Sequence, residues 1–224
     1  MAEELRWAII GTGFISNTVA EAIAASPGSR VALVSGRDPG RVAEFAERHR
    51  IARTCVDFAD AVTDPDINVV YVGTPNHTHH DVVTAAAAAG KAVLSEKSLT
   101  TKMATAHELV DAVRDKVFFV EGLMYLAHPV MQRFVDLLSE ERTGTVTAVH
   151  VRYAADIKSV VNPLGRGTIY NLGCYPVSLL HLIIQSAFGD DVFERRELAG
   201  HGTLTPDETV GSATASVRFA NGVT

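Results

Sequence analysis

Four groups of residues in this 224-residue chain have types and spacings that could do chemistry, and each follows a short apolar run. Glu96-Lys97 comes just after Lys91–Leu94. Ionised side chains are costly to bury, so a charge pair where a core strand stops is either a solvated turn or a site. Gly11-Thr12-Gly13-Phe14-Ile15-Ser16 follows Leu5–Ile10. In such a turn Gly11 permits the tight reversal and Gly13 lets backbone approach a pyrophosphate. The following helix N-terminus then offers N–H donors to the charge. Ser16 takes the place of a third glycine and is small enough for close helix packing. Ser35-Gly36-Arg37-Asp38 follows Val31–Val34. An NAD site usually places a carboxylate there for the ribose diol. Here Ser35 and Gly36 hold that place, with Arg37 adjacent and Arg41 one turn on. That set suits a 2′-phosphate, hence NADP; with Asp38 as the acid, NAD is the alternative. Gly73-Thr74-Pro75-Asn76-His77-Thr78-His79-His80 follows Val69–Val72. Three histidines invite a metal, but no nearby cysteine or acid pair completes a ligand set, and none is expected. A loop in which Thr74, Pro75, Asn76 and His79 turn beneath a cofactor is the better reading.

Elements that could position these groups alternate along the first half. Strand-like runs at Leu5–Ile10, Val31–Val34, Arg53–Val56, Val69–Val72, Lys91–Leu94 and Val117–Val120 are separated by helical patterns. Those patterns centre on Ile15–Ile23, Val42–Ala46, His79–Ala89 and Met103–Val113. Strands alternating with helices mean crossover connections and a parallel sheet, so residues 1–122 form a doubly wound, Rossmann-type dinucleotide-binding domain. Ligands on such a sheet bind at the carboxyl ends of its strands, where all four groups lie, so a functional Lys97 outweighs a surface turn.

After Glu121 the rhythm changes. A helix around Val130–Leu138 precedes an alternating run, Thr145–Tyr153, which reads as a half-exposed antiparallel strand. Lys158–Gly167 is polar and reads as a loop, Cys174–Ile184 as a helix, and Ser212–Phe219 as another strand. Residues 123–224 are therefore expected to be an α+β domain on a mainly antiparallel sheet, for substrate binding and oligomerisation. A strand followed by only five residues suggests that this sheet is incomplete, with an edge apt to associate.

A formal net charge of −6 argues against a partner recognised through a phosphate backbone, so no nucleic acid is expected. Two cysteines, Cys55 and Cys174, make neither a disulfide framework nor a zinc site. The acids in Met1–Ile10 do not suit a signal peptide, and Val177–Ile184, interrupted by His181, is too short to span a bilayer. A cytoplasmic protein without a membrane partner is expected.

GTGFIS, TPNHTHH, GKAVLSEKS and EGLMYLAHP occur here in an order and spacing that resembles the Gfo/Idh/MocA oxidoreductase family, in its glucose-fructose oxidoreductase and dihydrodiol dehydrogenase-like branch. The likeness covers essentially the whole chain, and the Gly-Lys-x-Val-Leu-x-Glu-Lys context is more specific than the Gly-rich turn. It implies an NAD(P)-dependent dehydrogenase or reductase acting on a sugar, polyol or cyclic alcohol, working as a homo-oligomer (dimer or tetramer). It implies that Glu96 and Lys97 sit at the cofactor, Lys97 beside the nicotinamide and the substrate hydroxyl. Asn171-Leu-Gly173-Cys174-Tyr175 looks like the family's Asp-x-Gly-x-His/Tyr segment, which makes Tyr175 the proton donor or acceptor and Asn171 its neighbour in the catalytic set. A free tyrosine hydroxyl titrates near about 10, and a nearby ammonium would favour its phenolate. The chain departs from the family at Ser98 (usually proline), Leu126 (often arginine) and Asn171 (usually aspartate), and family members are longer. Asn171 and the short second domain leave a non-catalytic cofactor-binding regulator as an alternative, and the resemblance leaves a second, rarer in the family, a glycosidase that uses NAD transiently.

Overall fold

The computed structural model describes residues 4–140, 142, 144–157 and 163–224. Glu3, one of the two acids near the N-terminus, and the start of the loop expected at Lys158 lie outside the described residues. Contacts divide the chain into two compact units, Met1–Gly122 and Leu123–Thr224.

The first unit runs β1 (Leu5–Ile10), α1 (Phe14–Ala25), β2 (Ser29–Ser35), α2 (Pro39–His49), β3 (Thr54–Cys55), α3 (Phe58–Thr63), β4 (Val69–Val72), α4 (His79–Ala88), β5 (Ala92–Ser95), α5 (Met103–Val113) and β6 (Phe119–Glu121). Its six strands lie in the order β3-β2-β1-β4-β5-β6, every pair parallel. The two-residue alternation of a strand sorts the core into two layers. Ile9, Val34 and Tyr71 pack with Ala20 and Ile23 of α1 and Val42 and Phe45 of α2. Ala8, Ile10, Val70 and Val72 face the other way, against α3, α4 and α5. Helices thus change face where strand order reverses, between β1 and β4. Val70 and Val72 are fully buried, and burying each such side chain contributes about 1.5–3 kcal/mol.

Local signals explain the helix starts. Asp38 caps α2 by accepting from the Gly40 and Arg41 N–H groups, and Pro39 occupies the first turn. Asp57 caps α3 through the Ala59 N–H. That six-residue helix is too short to show a period, and no helix was expected there.

The second unit contains α6 (Pro129–Ser139), α7 (Thr168–Leu172), α8 (Cys174–Phe188), α9 (Asp190–Glu194), β7 (Arg196–Leu204) and β8 (Val210–Phe219). β7 and β8 pair antiparallel as a two-stranded sheet. Thr145–Tyr153 corrects the sequence expectation: it forms no strand. Alternating side chains meet the period of a strand, but a ladder also needs a neighbour, and β7 and β8 pair with each other. β7 went unanticipated because Gly200, Gly202 and Ala199 lower its strand propensity. No helix among the described residues is long and apolar enough to cross a membrane.

The switch point is sterically tight. Gly11 has φ +103°, and a Cβ there would lie 2.7 Å from the Gly73 carbonyl oxygen. At Gly28 φ is +77°, yet among the described residues nothing lies within 4 Å of where a Cβ would stand. Gly28→Ala should therefore cost about 1–2 kcal/mol, the left-handed penalty alone. Gly11→Ala should cost a further ~1–3 kcal/mol for overpacking. Urea unfolding measures both, and equal costs would show that the crowding at Gly11 does not matter.

Candidate functional site

The carboxyl ends of β1, β2, β4, β5 and β6 carry the candidate residues of the first unit. Gly11 N–H bonds the Ser35 carbonyl at 2.8 Å and Gly73 N–H bonds the Ile10 carbonyl at 2.8 Å, which stitches the first three ends together. A Cβ on Gly73 would lie 2.4 Å from Ser16 Oγ and 2.6 Å from the Tyr71 ring. At Gly13, by contrast, it would meet only the Gly73 oxygen, at 3.9 Å. The space over Gly13 is therefore open, and no side chain caps α1 or places an acid in its first turn. Backbone N–H groups at such an end suit an anionic phosphate, so the residues present fit a dinucleotide. Phe14 stands 81% exposed over this turn and Ile15 lies partly exposed beside it.

The turn is braced from α2. Arg41 Nη2 donates to the Thr12 carbonyl at 3.3 Å, and Arg48 Nη1 to Asn17 Oδ1 at 3.1 Å. Asn17 Nδ2 in turn donates to the Gly13 carbonyl at 3.0 Å. A cleft of about 190 Å³ lies among Thr12, Asn17, Arg41, Glu44, Phe45 and Arg48. Ser35 is buried, Gly36 half-buried and Arg37 exposed. The Asp38 carboxylate is occupied as the cap of α2.

Past β4, Asn76 begins a short 3-10 turn and is buried. Thr78 Oγ1 donates to the Pro75 carbonyl at 2.7 Å and bonds Thr74 Oγ1 at 2.8 Å. His79 was expected among the residues that meet the cofactor. Its ring is fully buried, with Nε2 2.8 Å from the Thr74 carbonyl and Nδ1 2.9 Å from the Ser98 carbonyl. It is turned into the protein. His80 lies beside Asp81 and Glu108, and no group of metal-ligating residues occurs among the described residues.

β5 and β6 end in ionisable groups. Lys97 is half-buried, and its peptide bond to Ser98 is cis. Tyr71, fully buried on β4, donates its hydroxyl to Glu96 Oε1 at 3.2 Å. Burial first, and then the Glu96 charge, pushes the Tyr71 hydroxyl well above its ordinary range. Burial raises the Glu96 carboxyl too, against the opposing hydrogen bond from Tyr71 and charge of Lys97. Glu121 is raised by burial and by Glu96, while the Leu99 N–H and Lys97 pull it down. Two half-buried carboxyls thus share one ammonium. Tyr71 and Glu121 were not among the expected cofactor-binding or catalytic residues. A tyrosine inside the apolar run Val69–Val72 and an acid ending the sixth run were the signals available.

In the second unit, Tyr175 lies in the first turn of α8, half-buried. Its ring centre is 5.1 Å from that of Tyr153 and 6.2 Å from that of Tyr125. Tyr125 hydroxyl and Ser178 Oγ are 2.7 Å apart, and Ser178 reaches the Tyr175 carbonyl at 3.1 Å. Asn171 Nδ2 donates to the Gly167 carbonyl at 2.7 Å, a bond that the aspartate usual in the family could not donate. His128 Nδ1 accepts from Val130 N–H as the cap of α6, and His181 stacks on Phe193 with ring centres 4.3 Å apart.

Comparisons with known proteins agree with this arrangement. The model of a family described as an oxidoreductase family with an NAD-binding Rossmann fold, Gfo/Idh/MocA, matches residues 5–121. A trans-1,2-dihydrobenzene-1,2-diol dehydrogenase of Xenopus laevis is 32% identical over 212 residues, covering 92% of this chain and 63% of the relative. Among solved structures, a mutant 3-ketoreductase from Actinomadura kijaniata, in complex with TDP-benzene and NADP, superposes with a TM-score of 0.83 at 25% identity, covering 99% of this chain and 67% of that one. A levoglucosan dehydrogenase has the same fold, with a TM-score of 0.81 at 22% identity, covering 99% and 65%. The chain spans less than two thirds of the length of the curated relative.

The shared ammonium has a consequence for pH. A carboxyl whose folded pKa is raised binds its proton more tightly in the folded chain. Its contribution to stability is therefore complete below the unfolded value of about 4.3 and is lost as pH rises through the folded value. Glu121→Gln removes that loss and keeps an oxygen for the Leu99 N–H. The variant should match wild type in urea unfolding at pH 4 and exceed it at pH 8. A gain that is the same at both pH values would remove burial of the Glu121 charge as its cause.

Proposed function

The chain belongs to the Gfo/Idh/MocA oxidoreductase family, and from that premise we propose that it is an NADP-dependent dehydrogenase or reductase. Its substrate would carry a CH–OH or ketone group on a sugar, polyol or cyclic alcohol. The observation that carries this reading is Lys97 at the carboxyl end of β5, in the same row of strand ends as the open turn at Gly13. When bound, the nicotinamide supplies or accepts the hydride. Gly11–Ile15 hold the pyrophosphate by backbone N–H groups, and Arg37, with Arg41 one turn on, reads a 2′-phosphate. The capping duty of Asp38 supports NADP over NAD, as does the NADP of the ketoreductase complex. Lys97 holds the substrate hydroxyl by hydrogen bond and charge, and Tyr175 carries its proton. Asn171 keeps the start of that segment in place through Gly167.

A cytoplasmic homo-oligomer is part of the same reading. Leu198, Gly200 and Gly202 share one face of the two-stranded sheet with Val217, Ala215 and Ala213, and Leu198 is 70% exposed, which supports association through that face.

Fluorescence titration should give tighter binding of NADPH than NADH, with the difference lost in Arg37→Ala. Gly13→Val should lose both cofactors and still fold, because its Cβ meets open space. Tighter NADH binding that ignores Arg37 would overturn the 2′-phosphate reading.

Net NADP reduction on adding trans-1,2-dihydrobenzene-1,2-diol or a polyol panel tests the activity. Lys97→Met and Tyr175→Phe should each cut turnover at least about a hundredfold with little change in cofactor affinity. Near-normal turnover in Tyr175→Phe would remove it as the proton carrier. Glycoside cleavage without net reduction would replace a dehydrogenase by a glycosidase.

A further inference from the structure

His79 is the first residue of α4 and is 0% exposed. Its two ring nitrogens face two backbone carbonyls from different loops. Nε2 lies 2.8 Å from Thr74 O, just past β4, and Nδ1 lies 2.9 Å from Ser98 O, the residue after Lys97. The same peptide unit is held on its other side from another element, since the Leu99 N–H donates to the Glu121 carboxyl at the end of β6. The turn that carries Lys97 is thus gripped at successive polar groups by α4 and by β6. A lysine has four rotatable side-chain bonds, so its ammonium is placed only as well as its backbone is. A misplacement of about 1 Å can cost on the order of a hundredfold in rate.

We propose that His79 is a positioning residue for Lys97, tying the Ser98 carbonyl to the start of α4 so that Lys97 is presented from a fixed backbone. This rests on the reading of Lys97 as the lysine that meets substrate. The chemistry of the link separates its two halves. A neutral ring carries one N–H and donates to one carbonyl at a time; a doubly protonated ring donates to both. Burial opposes the second proton, as do the charges of Lys97 and His77, while the two carbonyls favour it. The bond to Ser98 is the half that reaches Lys97.

Asparagine and glutamine distinguish the halves, because an asparagine amide nitrogen falls near the place of Nδ1 and a glutamine amide nitrogen near that of Nε2. His79→Asn should keep the Ser98 link, and His79→Gln only the Thr74 link. In the full chain, His79→Gln should lower kcat for trans-1,2-dihydrobenzene-1,2-diol with NADP about ten- to a hundredfold, leaving KM and NADPH affinity near wild type. His79→Asn should restore most of that loss. Hydrogen exchange gives a readout independent of turnover: the Leu99 amide should exchange faster in His79→Gln than in His79→Asn, with the β1 and β4 amides unchanged in both. Equal behaviour of the two variants, in rate and at Leu99, overturns the proposal. If the glutamine chain does not fold, His79→Ala takes its place: Leu99 exchange faster than in His79→Asn with unchanged core amides sustains the clamp, and equal exchange overturns it. A wild-type chain that binds no NADPH would fell the functional reading alone, since the Leu99 comparison would still decide the clamp.

Discussion

The close approach of backbone at Gly11 and Gly73 is the constraint on which the rest of the first unit depends. The sheet reverses its strand order between β1 and β4, and there two chain segments leave the sheet side by side. With a Cβ at Gly11 only 2.7 Å from the Gly73 oxygen, any other residue there would push the two segments apart at a cost in stability. The reversal leaves the start of α1 with no capping side chain and no acid, and with Gly13 facing open space. A helix that begins in this way spends its N–H groups on a ligand or on water. The bracing from Arg41, Arg48 and Asn17 serves the same end, because it fixes the carbonyls of the turn and leaves its N–H side alone.

Electrostatics at β5 and β6 follows from the same architecture. Where a parallel sheet is covered on both faces, ionisable groups just past its inner strands are partly desolvated, as here after β5. Glu96, Glu121 and Lys97 share that shell, with the Tyr71 hydroxyl beneath Glu96. One ammonium cannot fully compensate two carboxylates, and burial pushes both acids toward their neutral forms. The result is a pair of carboxyls raised by burial next to Lys97, the lysine proposed to meet the substrate hydroxyl. Hydrogen bonds, not charge alone, then keep the turn in place: the Leu99 N–H is satisfied whether or not Glu121 is ionised.

What the sequence disclosed, and what it hid, divides along one physical line. The alternation of apolar runs and helical periods in residues 5–121 gave the sheet, its connections and the strand ends that carry Gly11, Ser35, Thr74 and Lys97, because each signal is local. Side-chain direction was less legible. His79 sits one turn past Asn76 in a polar loop and reads as a ligand contact; only the packing shows that it faces inward to Thr74 and Ser98. Tyr71 hid in the same way inside a buried strand. In the second unit, Thr145–Tyr153 has the alternation of a strand without forming one, whereas glycine-containing β7 forms a strand without the usual composition. Pairing is a non-local property, and alternation alone does not supply the partner.

On the proposed reading, Asp38 bears on the choice of cofactor without touching it. Its carboxylate accepts from Gly40 N–H at 2.9 Å and Arg41 N–H at 3.2 Å, which stabilises the start of α2 by about 0.5–2 kcal/mol. Turning outward to accept from a ribose diol would forfeit that cap. The same cap fixes the first turn of α2 and with it the origin of the Arg41 side chain, whose guanidinium rests on the Thr12 carbonyl. On the proposed reading, one carboxylate therefore acts twice on the choice between NADP and NAD. It is withheld from the diol, and it anchors a helix that carries positive charge to where a 2′-phosphate would lie. Arg37, exposed beside it, then needs no partner of its own to contribute, since a phosphate supplies the acceptors that its planar fork requires.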